Sequence, residues 1–127
     1  MSTLFTKILA GEIPCHKVWE DEAHFAFLDI RPVQPGHTLV IPKREVDYLF
    51  DLEPEEYTAF WNAVRTVEAR LKERLGCARV VLLVIGWEVP HVHVHLIPTN
   101  NIHDVGMPPS VDVTPEEMAA LAARLGG

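Results

Sequence analysis

From His91 to Ile97 the chain alternates imidazole and aliphatic side chains, His91-Val92-His93-Val94-His95-Leu96-Ile97, and a period of two is the period of a β-strand. As a strand, the run sends three imidazoles to one face and Val92, Val94 and Leu96 to the other. Burial in a sheet accounts for the aliphatic half. It does not account for three histidines, each titrating near neutrality, which together can divide the roles of nucleophile, proton carrier and anion partner. A shared metal ion is the rival use of such a row, with His37 or His103 as a further ligand.

The segments around the row read as sheet and helix. Residues 4 to 12 form a short helix with Phe5, Ile8 and Leu9 on one side, stopped by Gly11 and Pro14. Strands are predicted over 17–20, 23–29 and 38–41, broken by Glu20-Asp21-Glu22 and by the loop Arg31-Pro32-Val33-Gln34-Pro35-Gly36, as an antiparallel meander. From Pro54 to Leu75, Tyr57, Phe60, Trp61, Val64, Val67, Leu71 and Leu75 recur at spacings of three and four, which predicts one long amphipathic helix with its aromatic stripe in the core. Residues 80–85 read as a buried strand and 89–97 as the next, joined by a short turn at Gly86-Trp87-Glu88. Thr114-Pro115-Glu116-Glu117 is a capping box opening a last helix to Leu125.

Length and charge narrow the partners. The 127 residues, 48% of them hydrophobic, suit a single domain spanning 1–127. The formal charge is −7 and the Lys and Arg residues are scattered, so no basic stripe follows a nucleic-acid backbone, while small anions held by local donors stay possible. No run approaches the length of a membrane span, and Met1 to Lys7 lacks the basic and apolar regions of a signal peptide. Cys15 and Cys77 form no close pair and fit reduced thiols, so a soluble cytoplasmic protein is expected.

The histidine row resembles the signature of the histidine triad (HIT) family. Further segments carry the resemblance through most of residues 4 to 98: Leu4-Phe5-x-Lys7-Ile8, Gly11-Glu12-Ile13-Pro14, Ala26-Phe27-Leu28-Asp29-Ile30-x-Pro32, and Pro35-Gly36-His37-Thr38-Leu39-Val40-Ile41-Pro42-Lys43. The chain looks most like the Hint-type nucleotide-hydrolase branch. That resemblance implies an α+β fold, a five-stranded antiparallel sheet with the long helix and short terminal helices, paired into a two-sheet homodimer. It also implies a nucleotide hydrolase or nucleotidyl transferase, of the phosphoramidase or dinucleoside polyphosphate hydrolase type, that cleaves at the α-phosphate of purine nucleoside phosphoramidates or related conjugates without a cofactor.

Carried over by position, His93 is the nucleophile that takes the nucleotidyl group, His95 donates to the phosphate oxygens, and His91 and His37 support and orient the row. Asp29 would hold the ribose hydroxyls, and Phe5, Ile8, Phe27 and Ile30 would line the base pocket. Read from the residues alone, these four are core and Asp29 is a turn residue.

Two departures stand beside the row. Trp87 and Glu88 occupy positions that commonly hold Gln and a hydroxyl residue in the family, so polar contacts to phosphate are lost or replaced. A purine nucleotide-binding or regulatory protein with weak turnover is therefore an alternative, and a histidine-ligated metal protein a lesser one. Thr3 and Thr6 stand where some bacterial relatives carry zinc-holding cysteines, so no structural zinc is expected, and His16, His24 and His103 are assigned no role.

Overall fold

A computed structural model describes residues 3 to 127; Met1 and Ser2, which belong to the stretch read above for a leader, lie outside the described residues. Helix α1 (Leu4–Leu9) is capped by the Thr3 side chain, which accepts from the Thr6 N–H, and its last turn runs into Gly11 at φ +79°. It is shorter than expected because that glycine and the following bends leave the helix three residues earlier than the apolar pattern does.

Strands β1 (Lys17–Glu20), β2 (His24–Leu28) and β3 (Thr38–Pro42) form the expected meander. Helix α2 (Pro54–Leu75) has the expected bounds, with Pro54 in the first turn, a reciprocal Glu53–Glu56 capping box, and left-handed Gly76 at its end. Strands β4 (Arg79–Leu83) and β5 (Val94–Thr99) complete an antiparallel five-stranded sheet in the order β1-β2-β3-β5-β4, and α3 (Pro115–Arg124) follows, with Thr114 accepting from the Glu117 N–H.

The period of two sorts the sheet into two faces. Ala26, Val40, Val94 and Leu96 meet Phe60, Ala63, Val64, Val67 and Leu71 of α2 in one core cluster. Their neighbours Phe25, Phe27, Leu39 and Ile41 face the other way and pack under α1 through Phe5. His95 pairs with Leu39 and Val94 with Val40, so the histidine of β5 belongs to the α1 face.

Two expectations about the β4–β5 region need correction. The 80–85 segment is not buried: β4 lies at the sheet edge, paired only with β5, and Leu82, Leu83, Val84 and Ile85 are exposed. Nor is 89–97 one strand. Pairing of β4 with β5 ends at Leu83 opposite His95, and the chain from Val84 to His93 is irregular. Pro90 has no N–H to give a ladder, the His91 N–H turns back to the Val89 carbonyl at 2.8 Å, and the Val92 N–H goes to Val46 at 2.7 Å. The connection is thus longer than a three-residue turn. Val92 is still buried with the α2 cluster, and His91 and His93 still lie on the α1 side.

Candidate active site

The row is held from both ends by backbone groups, and those bonds assign its protons. His91 is fully buried, and its Nε2–H donates to the Pro42 carbonyl at 2.7 Å at the end of β3. Its Nδ1 therefore accepts, and the Thr3 hydroxyl lies 3.4 Å away. The His91 carbonyl in turn accepts from His93 Nδ1–H at 2.7 Å, which leaves the lone pair of His93 on Nε2.

His95 is set in the opposite sense. The Val33 N–H donates to His37 Nδ1 at 3.0 Å, so the neutral His37 ring carries its proton on Nε2 and gives it to His95 Nδ1, also at 3.0 Å. His95 is then left with an N–H at Nε2. Burial, with the His93 and His37 rings beside it, pushes its pKa down to about 4, and burial also lowers those of His37 and His91. With both rings neutral, the row offers a lone pair at His93 Nε2 and a proton at His95 Nε2, with ring centroids 5.2 Å apart.

Asp29, just beyond β2, brings Oδ2 to 3.6 Å from His37 Nε2 and 4.0 Å from His95 Nδ1, while Oδ1 accepts from the Arg31 N–H at 2.8 Å. Its carboxylate is half-buried at the edge of the row and keeps acceptor capacity. Phe5 stands edge-on to His93 at 4.9 Å, to His91 at 5.7 Å and to Phe27 at 5.6 Å between ring centroids. Ile8 packs against the same aromatic cluster. Ile30 does not join them: it is 81% exposed in the bend after β2.

The two altered loop residues are placed differently. Trp87 is 92% exposed. Glu88 instead lines a cleft of about 440 Å³ with Thr3, Leu4, Glu45, Asp47, Val89 and Pro90. For a metal, Asp29, His37 and His95 each place a ligand atom within 4.8 Å of the others. The Val33 N–H at His37 Nδ1 opposes that use, because it keeps the Nε2 position protonated instead of offering a lone pair. His103 sits on an exposed 3₁₀ turn (Ile102–Asp104), and Thr3 and Thr6 present hydroxyls where zinc favours thiolate or imidazole.

Sequence reading did not single out the Pro42 carbonyl, the Val33 N–H or the Thr3 hydroxyl as partners of the row. Only Thr3 left a local trace, as a capping residue before an apolar helix.

A five-stranded antiparallel sheet with one long helix on one face and a tautomer-locked histidine row on the other defines a class of small α+β proteins built around imidazole chemistry. The HIT domain family matches residues 10–102, and the chain belongs to that family. It is 42% identical over 99 residues to an uncharacterised HIT-like protein of Methanocaldococcus jannaschii, covering 75% of this chain and 77% of that one. It is 35% identical over 128 residues to the adenosine 5'-monophosphoramidase of Schizosaccharomyces pombe, covering 98% and 96%. The crystal structure of a HIT family member from Bacillus subtilis superposes with a TM-score of 0.84 at 30% identity, over 99% of this chain and 96% of that one.

Proposed function

We propose that the protein is a nucleotide hydrolase that cleaves purine nucleoside phosphoramidates, or related nucleotide conjugates, at the α-phosphate through a nucleotidyl-histidine intermediate. The observation that carries this reading is the 2.7 Å bond from His93 Nδ1–H to the His91 carbonyl, which makes Nε2 the nucleophilic nitrogen. Attack of His93 Nε2 forms a P–N bond. The bond to the leaving group breaks, and the departing nitrogen keeps its electron pair and takes a proton from solvent. His95 Nε2–H donates to a phosphate oxygen as charge shifts onto it. Water then attacks phosphorus, the P–His93 bond breaks with its electron pair returning to Nε2, the water's proton passes to solvent, and the nucleoside monophosphate is released. Asp29 supplies acceptors for the ribose hydroxyls, with Phe5, Ile8 and Phe27 on the base side. The near full-length likeness to a monophosphoramidase supports this substrate class.

The test is turnover of a fluorogenic adenosine phosphoramidate by wild type and His93→Ala in chelator. The expected result is turnover that falls at least about 10³-fold in the variant, with nucleoside monophosphate affinity within about twofold of wild type. Equal activity in the two proteins would overturn the proposal. One observation favours a slower enzyme or a nucleotide-binding protein: Trp87 extends into solvent, and Glu88 faces an acidic cleft, so this loop brings no side-chain donor to the phosphate. Tight monophosphate binding with no turnover of amidates or dinucleotides is the outcome for that reading.

We also propose that the working form is a homodimer joined at β4, whose unpaired edge and exposed Leu82, Leu83, Val84 and Ile85 suit a second copy of the same strand. The free Cys15 and Cys77 fit a reducing compartment, in keeping with a cytoplasmic location.

A further inference from the structure

We propose that Thr3 is a positioning residue for the nucleophile, acting through His91. His91 makes no outward contact of its own: the ring is fully buried, with one nitrogen on the Pro42 carbonyl and the other on the Thr3 hydroxyl. Those two anchors fix the residue whose carbonyl holds His93 Nδ1–H, so the Thr3 hydroxyl stands one residue removed from the lone pair on His93 Nε2.

The hydroxyl has its proton free for this task. Thr3 Oγ1 accepts from the Thr6 N–H at 3.2 Å, and Thr6 Oγ1 spends its own proton on the Thr3 carbonyl at 2.8 Å. The remaining proton of Thr3 Oγ1 has two acceptors in reach, Thr6 Oγ1 at 3.5 Å, whose lone pairs are partly exposed, and His91 Nδ1 at 3.4 Å, which is buried and has no other donor among the described residues. The Thr3 N–H donates to Glu45 Oε1 at 3.3 Å and ties the same residue to the segment after β3. Thr3 also begins the helix that carries Phe5, whose ring lies against both His91 and His93. A valine keeps the shape and strands the Nδ1 lone pair in an apolar site, leaving the Pro42 carbonyl as the ring's one polar anchor, so the ring and the carbonyl that holds His93 Nδ1–H are placed less firmly. A serine keeps the hydroxyl.

The proposal rests on His93 as the nucleophile, and two readouts separate its failure from the failure of that role. Long-range ¹H–¹⁵N spectra of the imidazoles report tautomers without any turnover. Phosphoramidate kinetics report their consequence. In wild type and Thr3→Ser the spectra should show His91 as the Nε2–H form and His93 as the Nδ1–H form. In Thr3→Val His91 should keep its Nε2–H on the Pro42 carbonyl while His93 becomes a mixture of tautomers, with kcat about tenfold lower and KM within about twofold. Thr6→Val, which disturbs the same helix start without touching the ring, should leave both tautomers in place. An unchanged His93 spectrum in Thr3→Val would overturn the proposal whatever the activity, as would equal losses in Thr3→Val and Thr3→Ser. Wild-type protein with the stated tautomers and no turnover would overturn the hydrolase reading and leave the positioning role standing.

Discussion

The rings of His93 and His95 are chemically the same, and their neighbours alone give them opposite roles. A carbonyl takes the Nδ1 proton of one, and a neighbouring imidazole supplies a proton to the Nδ1 of the other. Keeping His95 neutral has a cost that stability against pH will read. The folded state holds its pKa at about 4, against about 6.5 in the unfolded chain. Above pH ~6.5 both states are neutral and the group exerts no effect. As pH falls from ~6.5 to ~4 the unfolded chain takes up the proton and the folded protein does not, so stability drops through that window and levels below it. His37 and His91, also lowered by burial, add to the drop in the same direction. Urea midpoints should be flat above pH ~6.5 and decline below it, with a shallower decline in His95→Gln. An identical decline in wild type and variant would contradict the assignment.

Among the elements, α2 supplies most of what covers the sheet away from the site. Phe60 is wholly buried where the helix crosses Ala26, Val40 and Val94. Phe60→Ala should therefore lower unfolding free energy by about 3–5 kcal/mol, measured by chemical denaturation. That helix was legible to the residue because its signals agree: proline in the first turn, a period near 3.6, glycine at the stop. The meander was legible for the same reason. The β4 edge was not, because a continuous apolar run reads alike whether it is buried or covered by something outside the chain. The break before Val94 was foreshadowed by Pro90, whose missing N–H cannot serve a central strand, but the regular alternation of histidine and valine outweighed it. Within the site, the alternation identified which side chains share a face. It held no record of proton direction, which depends on carbonyls at Pro42 and His91 and an N–H at Val33, brought in from separate turns.

At the scale of the whole molecule, the sheet separates support from chemistry. One face rests on α2, and the other carries α1, the aromatic cluster and the histidine row. Gly36, at φ +91°, adopts a conformation that favours glycine, and the side chains of Leu75 at the end of α2 and Pro98 in β5 lie where its Cβ would point, so the loop that leads into His37 packs against both. Among the described residues the opposite flank has no such contact: β4 is bonded on one side only, and it runs directly into the Val84–His93 segment that delivers His91 and His93. In the dimer proposed above, a second copy at that edge would also steady the His93 end of the row, and mass action would enter the chemistry. Specific activity should fall on dilution through the association range and recover when the protein is concentrated again, and constant specific activity across the monomer–dimer transition would show that the edge and the site are uncoupled.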